Sequence, residues 1–257
     1  MKRFVIHLAA VICLLALSFS AFPAAKADSL YTKKIVSLVL DDSGTMTISS
    51  SGSDYPMRWD FAVYALETMA AMLNPEDELY VTLLSDWDHS ITYDLSDENI
   101  GDTVERIRNM PFNQGSTPFN SVVTGFDLLR QKQAPDNTEY YLVVITDGVF
   151  DSDMYAKTHY HNPQEAFDQF LSERMPNGSR PKIIFMGIGS SVSTVTPDES
   201  RGLYVYNADE QEGIVRVLDQ ISDRISVPTG TTLYSLFFAY SFSSLRPGNV
   251  FMRHPPP

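Results

Sequence analysis

Two hydrophobic patterns alternate along the chain. Short runs of consecutive apolar residues are typical of strands buried on both faces, whereas apolar residues at every third or fourth position predict amphipathic helices. The predicted strands cover residues 35–40, 79–84, 91–93, 142–145, 183–188 and 204–206. The predicted helices cover residues 57–73, 96–107, 117–129, 162–171 and 214–225.

The order of these elements predicts the architecture. Strands and helices alternate, which is typical of a doubly wound, mostly parallel α/β sheet with helices on both faces. Residues 91–93 follow the second strand after a short polar tip at 86–89, so we expect a hairpin and hence one antiparallel edge strand. The prediction is a six-stranded, Rossmann-like sheet, in which ligands bind at the carboxyl ends of the central strands.

The first 27 residues have the features of a secretory signal peptide. Lys2 and Arg3 form a short basic head, residues 4–22 are almost entirely apolar, and Ala25-Lys26-Ala27 gives a small-x-small cleavage pattern. We therefore expect a mature chain that starts at Asp28 and is secreted or displayed on the cell surface. An uncleaved membrane anchor is the alternative, because the apolar run approaches a spanning length of about 20 residues.

The remaining chain divides near residue 228. Residues 28–227 contain the predicted α/β elements and form the expected domain. Residues 228–257 contain no Asp or Glu, include an aromatic stretch and end in three prolines. Because this composition differs from that of the acidic domain, we assign the segment no function and regard it as a C-terminal tail or a truncated linker.

The chain is acidic, which narrows the classes of partner. Its formal net charge is -13, and beyond residue 27 there are 16 Lys and Arg against 32 Asp and Glu, a net charge of -16. Such a surface repels phosphate backbones, so we expect no nucleic-acid partner. The same surface attracts cations. The single cysteine, Cys13, lies in the predicted signal peptide, so the exported chain would have no thiol to mispair.

Polar side chains follow two of the predicted strands directly. The first strand leads into Asp41-Asp42-Ser43-Gly44-Thr45-Met46, and the fourth leads into Thr146-Asp147-Gly148. Between them, Gly115-Ser116-Thr117-Pro118 precedes a helix, with Thr117 expected as its N-cap. Strands one and four are expected to be neighbours at the switch point of the sheet, so the three loops should converge. The candidate ligands are two carboxylates and three hydroxyls: Asp41, Asp147, Ser43, Thr45 and Thr117.

This set of donors suits a small divalent cation. Residues 41, 43 and 45 alternate, so an extended loop can turn their side chains the same way, and Gly44 allows the loop to turn between them. Hard oxygen ligands with only two anions suit Mg²⁺ or Mn²⁺, which keep water or a ligand in an octahedral shell. An incoming carboxylate would be attracted to an ion with so few anionic ligands.

The three loops resemble those of a von Willebrand factor type A domain. The resemblance rests on the Asp-x-Ser-x-Thr loop, the Thr-Pro helix start and the Thr-Asp-Gly strand end, and it spans about residues 33–225. It implies a metal-ion-dependent adhesion site in which Ser43 and Thr45 bind the ion directly and Thr117 joins them when a ligand is bound. The two aspartates would act directly or through water. Thr45 stands where serine is commoner, a mild departure because the hydroxyl is retained. The implied function is docking of an Asp or Glu carboxylate of a protein ligand.

Other interpretations of the first loop stay open. Residues 42–45 match an aspartic-protease loop, but that fold is all-β and needs a second such loop, which the chain lacks. Residues 41–45 differ by one position from a phosphatase loop with a nucleophilic Asp, but Ser43 stands where the general acid is needed. A structural domain whose ion only rigidifies loops is a third possibility. Because the metal loops contain no catalytic His or Cys, we expect a binding module and not an enzyme.

Overall fold

The computed structural model describes most of the predicted α/β domain. The described residues are 32–47, 57–96, 98–148, 150, 158–188 and 195–208. Among them, no helix has the length and apolar character needed to cross a membrane. The predicted signal peptide at 1–27, the helix expected at 214–225 and the tail at 228–257 lie outside the described residues, so these assignments stay predictions.

Strands and helices form where the hydrophobic pattern predicts them, with boundaries that differ by a few residues. The strands are β1 (Lys33–Leu40), β2 (Glu78–Leu83), β3 (Ile91–Tyr93), β4 (Thr138–Thr146), β5 (Lys182–Ile188) and β6 (Leu203–Ala208). The α-helices are α1 (Arg58–Met72), α2 (Ile100–Arg108), α3 (Asn120–Gln131) and α4 (Pro163–Ser172). A 3₁₀ turn covers Gly44–Thr47.

These strands form one sheet in the order β3-β2-β1-β4-β5-β6. β2 and β3 pair antiparallel, and every other neighbouring pair is parallel. The predicted fold class, a mostly parallel six-stranded α/β sheet with one antiparallel edge strand, is confirmed. The chain adds β2 and β3 on one side of β1 and then crosses to add β4 on the other side. The carboxyl ends of β1 and β4 therefore meet at the topological switch point.

Helices cover both faces of the sheet because side chains along a strand alternate between its faces. In β1, Val36, Leu38 and Leu40 belong to a hydrophobic cluster with α1 and α2, whereas Ile35 and Val39 belong to a second cluster with α3 and α4. All five of these side chains are fully buried. This two-sided burial explains the nearly continuous apolar runs of the central strands, and it leaves the strand ends as the positions for polar groups.

The start of α3 corrects one sequence prediction. Thr117 was expected to be the N-cap, but the helix begins at Asn120, with Phe119 in the N-cap position. The Val122 N–H donates to the Phe119 carbonyl over 3.0 Å, so a tighter turn comes before the regular helical hydrogen bonds. Phe119 is fully buried, and its packing places the helix start there. Thr117 therefore lies in the loop before the helix.

Candidate metal centre

The first loop of the site leaves β1 and turns over the end of the sheet. The Asp41 N–H donates to the Ile145 carbonyl over 2.9 Å, which extends the pairing of β1 with β4. Ser43 then forms a parallel bridge with Gly115, and the 3₁₀ turn follows. Met46 in this turn is fully buried. The loop is therefore fixed to the protein on both sides of its hydroxyl groups.

The hydroxyl groups of Ser43 and Thr45 lie side by side. Their oxygens are 2.9 Å apart. Ser43 is buried, whereas Thr45 is exposed. Neighbouring oxygens in an octahedral Mg²⁺ shell with bonds of about 2.1 Å are about 3 Å apart. The pair therefore fits two adjacent ligand positions of such an ion.

Asp41 connects the first loop with the end of β4. Its Oδ1 accepts a hydrogen bond from the Ser43 N–H over 2.9 Å, and its Oδ2 accepts one from the Thr146 hydroxyl over 2.7 Å. The Asp147 N–H also donates to Oδ2, over 3.4 Å. Burial raises the pKa of Asp41 above its ordinary value, although the hydrogen bonds from Thr146 and Ser43 act in the opposite direction. A cation beside this buried carboxylate would stabilise its charged form.

Asp147 directly follows β4, and its side chain is also buried. One partner of its carboxylate is Arg58, the first residue of α1, whose Nη1 lies 3.3 Å from Asp147 Oδ2. The sequence pattern does not predict this contact, because the two residues are 89 positions apart. One sequence signal was present: a cation stands in the first turn of a helix, where the helix dipole disfavours positive charge.

The second loop packs closely against the first. The Gly115 N–H donates to the Asp42 carbonyl over 3.2 Å. A Cβ on Gly115 would lie 2.1 Å from the Cβ of Ser85, so only glycine permits this approach. Thr117 follows two residues later and is buried. The bridge between Gly115 and Ser43 therefore holds the segment with Thr117 beside the first loop.

Asp42 has a positioning role that its place in the sequence does not indicate. Its side chain is fully buried. Its carboxylate accepts hydrogen bonds from the Ser85 N–H over 2.9 Å and from the Ser85 hydroxyl. The side-chain amide of Asn113 donates to the same hydroxyl over 3.3 Å. These bonds connect the first loop with the segment after β2 and with the second loop, which limits their relative movement.

Four of the five predicted ligands are linked by hydrogen bonds. Asp41 accepts from the backbones of Ser43 and Asp147, and the hydroxyl of Ser43 contacts that of Thr45. Thr117 lies on the adjoining loop. Two carboxylates and three hydroxyls are hard oxygen donors, so the chemistry of this set fits a small divalent cation.

A second group of possible ligands lies at the tip between β2 and β3. Asp86, Asp88 and His89 have ligand atoms within 4.8 Å of one another. His89 Nδ1 lies 2.8 Å from Asp86 Oδ1 and 3.1 Å from Asp88 Oδ1. The hydrogen bond to Asp86 and the charges of both aspartates raise the pKa of His89. All three side chains are exposed and interact with each other, so we infer no metal site there.

No family model matches this sequence, and no curated protein matches it. Solved structures with a similar fold include proximal thread matrix protein 1 from the mussel byssus, with 15% identity and a TM-score of 0.50; the match covers 75% of this chain and 47% of that one. A mutant of the PilB minor pilin from Streptococcus sanguinis has 14% identity and a TM-score of 0.50; the match covers 81% of this chain and 63% of the pilin. A von Willebrand factor type A protein from Catenulispora acidiphila has 13% identity and a TM-score of 0.47; the match covers 74% of this chain and 42% of that protein.

The chain thus spans about half of the mussel protein and less than two thirds of the pilin. At these identities, the likeness to the mussel protein and to the pilin concerns the fold alone. The function must therefore be argued from the residues of the site.

Proposed function

We propose that this chain is a binding module of the von Willebrand factor type A kind, which coordinates Mg²⁺ or Mn²⁺ and docks an acidic group of a protein ligand. The proposed ligands are Asp41, Ser43, Thr45, Thr117 and Asp147. The observation that supports this function best is the hydroxyl pair of Ser43 and Thr45, 2.9 Å apart, beside two buried carboxylates at the switch point.

The ligands divide into neutral and anionic groups with different roles. Asp41 and Asp147 supply negative charge for a divalent cation, and the three hydroxyls complete the shell without adding charge. A bound Mg²⁺ would supply a Lewis-acid position for a carboxylate of the partner. The exposure of Thr45 leaves this edge of the site open to an approaching protein. Neutral ligands on the open edge therefore favour an anionic partner.

Binding, and not catalysis, is the proposed activity. The three loops contain no histidine or cysteine that could transfer a proton or act as a nucleophile. Asp41, the residue that a phosphatase would use as its nucleophile, is buried and has both oxygens engaged by hydrogen bonds. Such a carboxylate is better suited to holding loops and a cation than to attacking a substrate.

The proposed location is outside the cell or at its surface. It rests on the signal-peptide pattern of residues 1–27. The acidic surface makes a nucleic-acid partner unfavourable. A protein that presents an Asp or Glu side chain is the partner class we propose.

Calorimetric titration of the full chain with Mg²⁺ tests the site. The double variant Asp41→Asn, Asp147→Asn keeps the side-chain volumes but removes both negative charges. We expect it to lose measurable Mg²⁺ binding, whereas the parent chain binds the ion.

The matched control is Asp86→Asn, Asp88→Asn, which removes two exposed carboxylates from the tip between β2 and β3. This control should bind Mg²⁺ like the parent. If the control loses binding and the site variant keeps it, the ion is held at the tip, and the proposed function is wrong.

A further inference from the structure

Arg58 places a cationic side chain beside one carboxylate of the proposed metal centre. Its guanidinium Nη1 is 3.3 Å from Asp147 Oδ2, and its side chain is only 16% exposed. Asp147 is one of the two carboxylates that supply negative charge to the proposed site. The same anionic group is therefore in contact with a cation that belongs to the protein.

The position of Arg58 is not explained by the helix that it begins. The first turn of an α-helix has positive dipole character and disfavours a cation. The favourable contact in this turn is made by Asp60, whose carboxylate accepts the Met57 N–H over 2.8 Å. Because Arg58 does not help the helix start, its ion pair with Asp147 is the interaction that accounts for its placement.

The contact between Arg58 and Asp147 is also a weak one for a buried ion pair. Strong pairs of arginine and carboxylate are bidentate, with distances of about 2.7–2.9 Å. Here Nη1 of Arg58 contacts one carboxylate oxygen of Asp147 at 3.3 Å, and the buried Nε of Arg58 has no hydrogen-bond partner among the described residues. The guanidinium can therefore leave the carboxylate without breaking a bidentate pair.

We propose that Arg58 is a built-in competitor of the metal ion. In the metal-free protein, its guanidinium offsets the charge of Asp147. A divalent cation that binds the same carboxylate displaces it, because two cations in one buried crevice repel each other. This inference rests on the proposed function. Arg58 would then lower the metal affinity of the site, so that the site fills only when the ion is abundant.

The test compares Mg²⁺ affinities of full-length variants by calorimetry. Arg58→Gln removes the competing charge and should tighten Mg²⁺ binding at least about tenfold, whereas Arg58→Lys keeps the charge and should stay closer to the parent. Arg108→Gln is the matched control, because Arg108 pairs with Glu67 of α1 at 3.1 Å, on the exposed surface. It should leave the Mg²⁺ affinity unchanged.

A second measurement needs no variant. The side-chain Nε–H resonance of Arg58 in the parent chain should shift as Mg²⁺ is added and saturate together with the binding heat. If Mg²⁺ binds the parent without shifting this resonance, or if Arg58→Gln binds Mg²⁺ no more tightly than the parent does, the proposed competition is wrong. The proposed metal site is supported in both cases. If neither the parent nor Arg58→Gln binds Mg²⁺, the proposed function fails and the competition fails with it. Binding by Arg58→Gln alone supports both.

Discussion

Thr45 is the exposed member of the hydroxyl pair, which makes it the most direct probe of the metal centre at the scale of one residue. Thr45→Val replaces the hydroxyl with a methyl group of nearly the same size. We expect it to weaken Mg²⁺ binding at least about tenfold, because one ligand oxygen is lost. The free energy of unfolding of the metal-free chain should change by no more than about 0.5 kcal/mol, as is usual at an exposed position.

The control for this change is Thr45→Ser, which keeps the oxygen. Calorimetry with Mg²⁺ and thermal melting in EDTA measure the two effects separately. Undiminished Mg²⁺ binding by Thr45→Val would show that the hydroxyl pair is only a feature of the turn.

Helix α3 approaches β1 closely because it has a glycine at the contact. A Cβ on Gly125 would lie 2.8 Å from Val39 Cγ2 and 3.1 Å from Ser37 Oγ. Gly125→Ala should therefore destabilise the protein by about 1–3 kcal/mol through overpacking, which outweighs the better helix propensity of alanine. Denaturation in urea measures this loss.

Gly101 in α2 provides the opposite case for comparison. A Cβ there would meet no atom within 4 Å, so Gly101→Ala should stabilise the protein by about 0.4–1 kcal/mol. Equal effects of the two substitutions would contradict the close approach of α3 to β1.

The pairing of β4 with β5 includes a pH-dependent ion pair. Lys182 Nζ lies 2.6 Å from Glu139 Oε1, and the Tyr141 hydroxyl donates to Glu139 Oε2 over 2.6 Å. Burial raises the pKa of Glu139, but the hydrogen bonds from Lys182 and Tyr141 outweigh it, so the pKa lies below its ordinary value. Between the lowered pKa and the ordinary one, the folded state therefore binds fewer protons than the unfolded state. The pair therefore stabilises the fold above the ordinary pKa of Glu, about 4.3, and this contribution disappears as the pH falls through the lowered pKa.

Glu139→Gln tests this linkage, because it removes the charge that pairs with Lys182. At pH 7 it should lose no more than about 1 kcal/mol, because the pair is partly exposed to solvent. The difference from the parent should shrink as the pH is lowered below about 4. Urea denaturation at both pH values measures it, with exposed Glu76→Gln as the control. A difference that grows in acid would show that the sign of the linkage is wrong.

The negative net charge of the whole molecule repels the acidic partner that the metal site would attract. With a net charge of -16 beyond residue 27, the chain repels an acidic protein at long range. This repulsion is screened beyond about 8–10 Å at physiological salt, whereas a direct bond between a carboxylate and a metal ion is not. Partner capture by the immobilised full chain should therefore be lost in EDTA, restored by Mg²⁺ or Mn²⁺, and only mildly weakened by added salt.

A basic partner held by the acidic surface would behave in the opposite way. Its capture would be indifferent to EDTA and steeply reduced by about 0.5 M salt, because that attraction is long-range and screened. Observing this second pattern for every captured protein would exclude the adhesion site as the binding surface.

The pattern of apolar residues predicts the described strands and helices, to within a few residues at their ends, and the fold class, and it locates the loops of the candidate site. A strand buried on both faces must be apolar throughout, so β1, β4 and β5 are visible as hydrophobic runs without any knowledge of their neighbours. The polar residues that end β1 and β4 are equally visible. The alternation of helices and strands then places those two ends at the switch point, because parallel strands need helical crossovers.

Contacts between side chains that are distant in the sequence follow from the packing of the elements. Arg58 reaches Asp147 across 89 residues, and Asp42 accepts from Ser85 across 43, contacts that no local periodicity predicts. The start of α3 is likewise set by the burial of Phe119 and not by the capping preference of Thr117. The local spacing of apolar residues indicates which face of a helix or strand is buried. Which groups share a crevice depends on how the elements pack, and that depends on the whole chain.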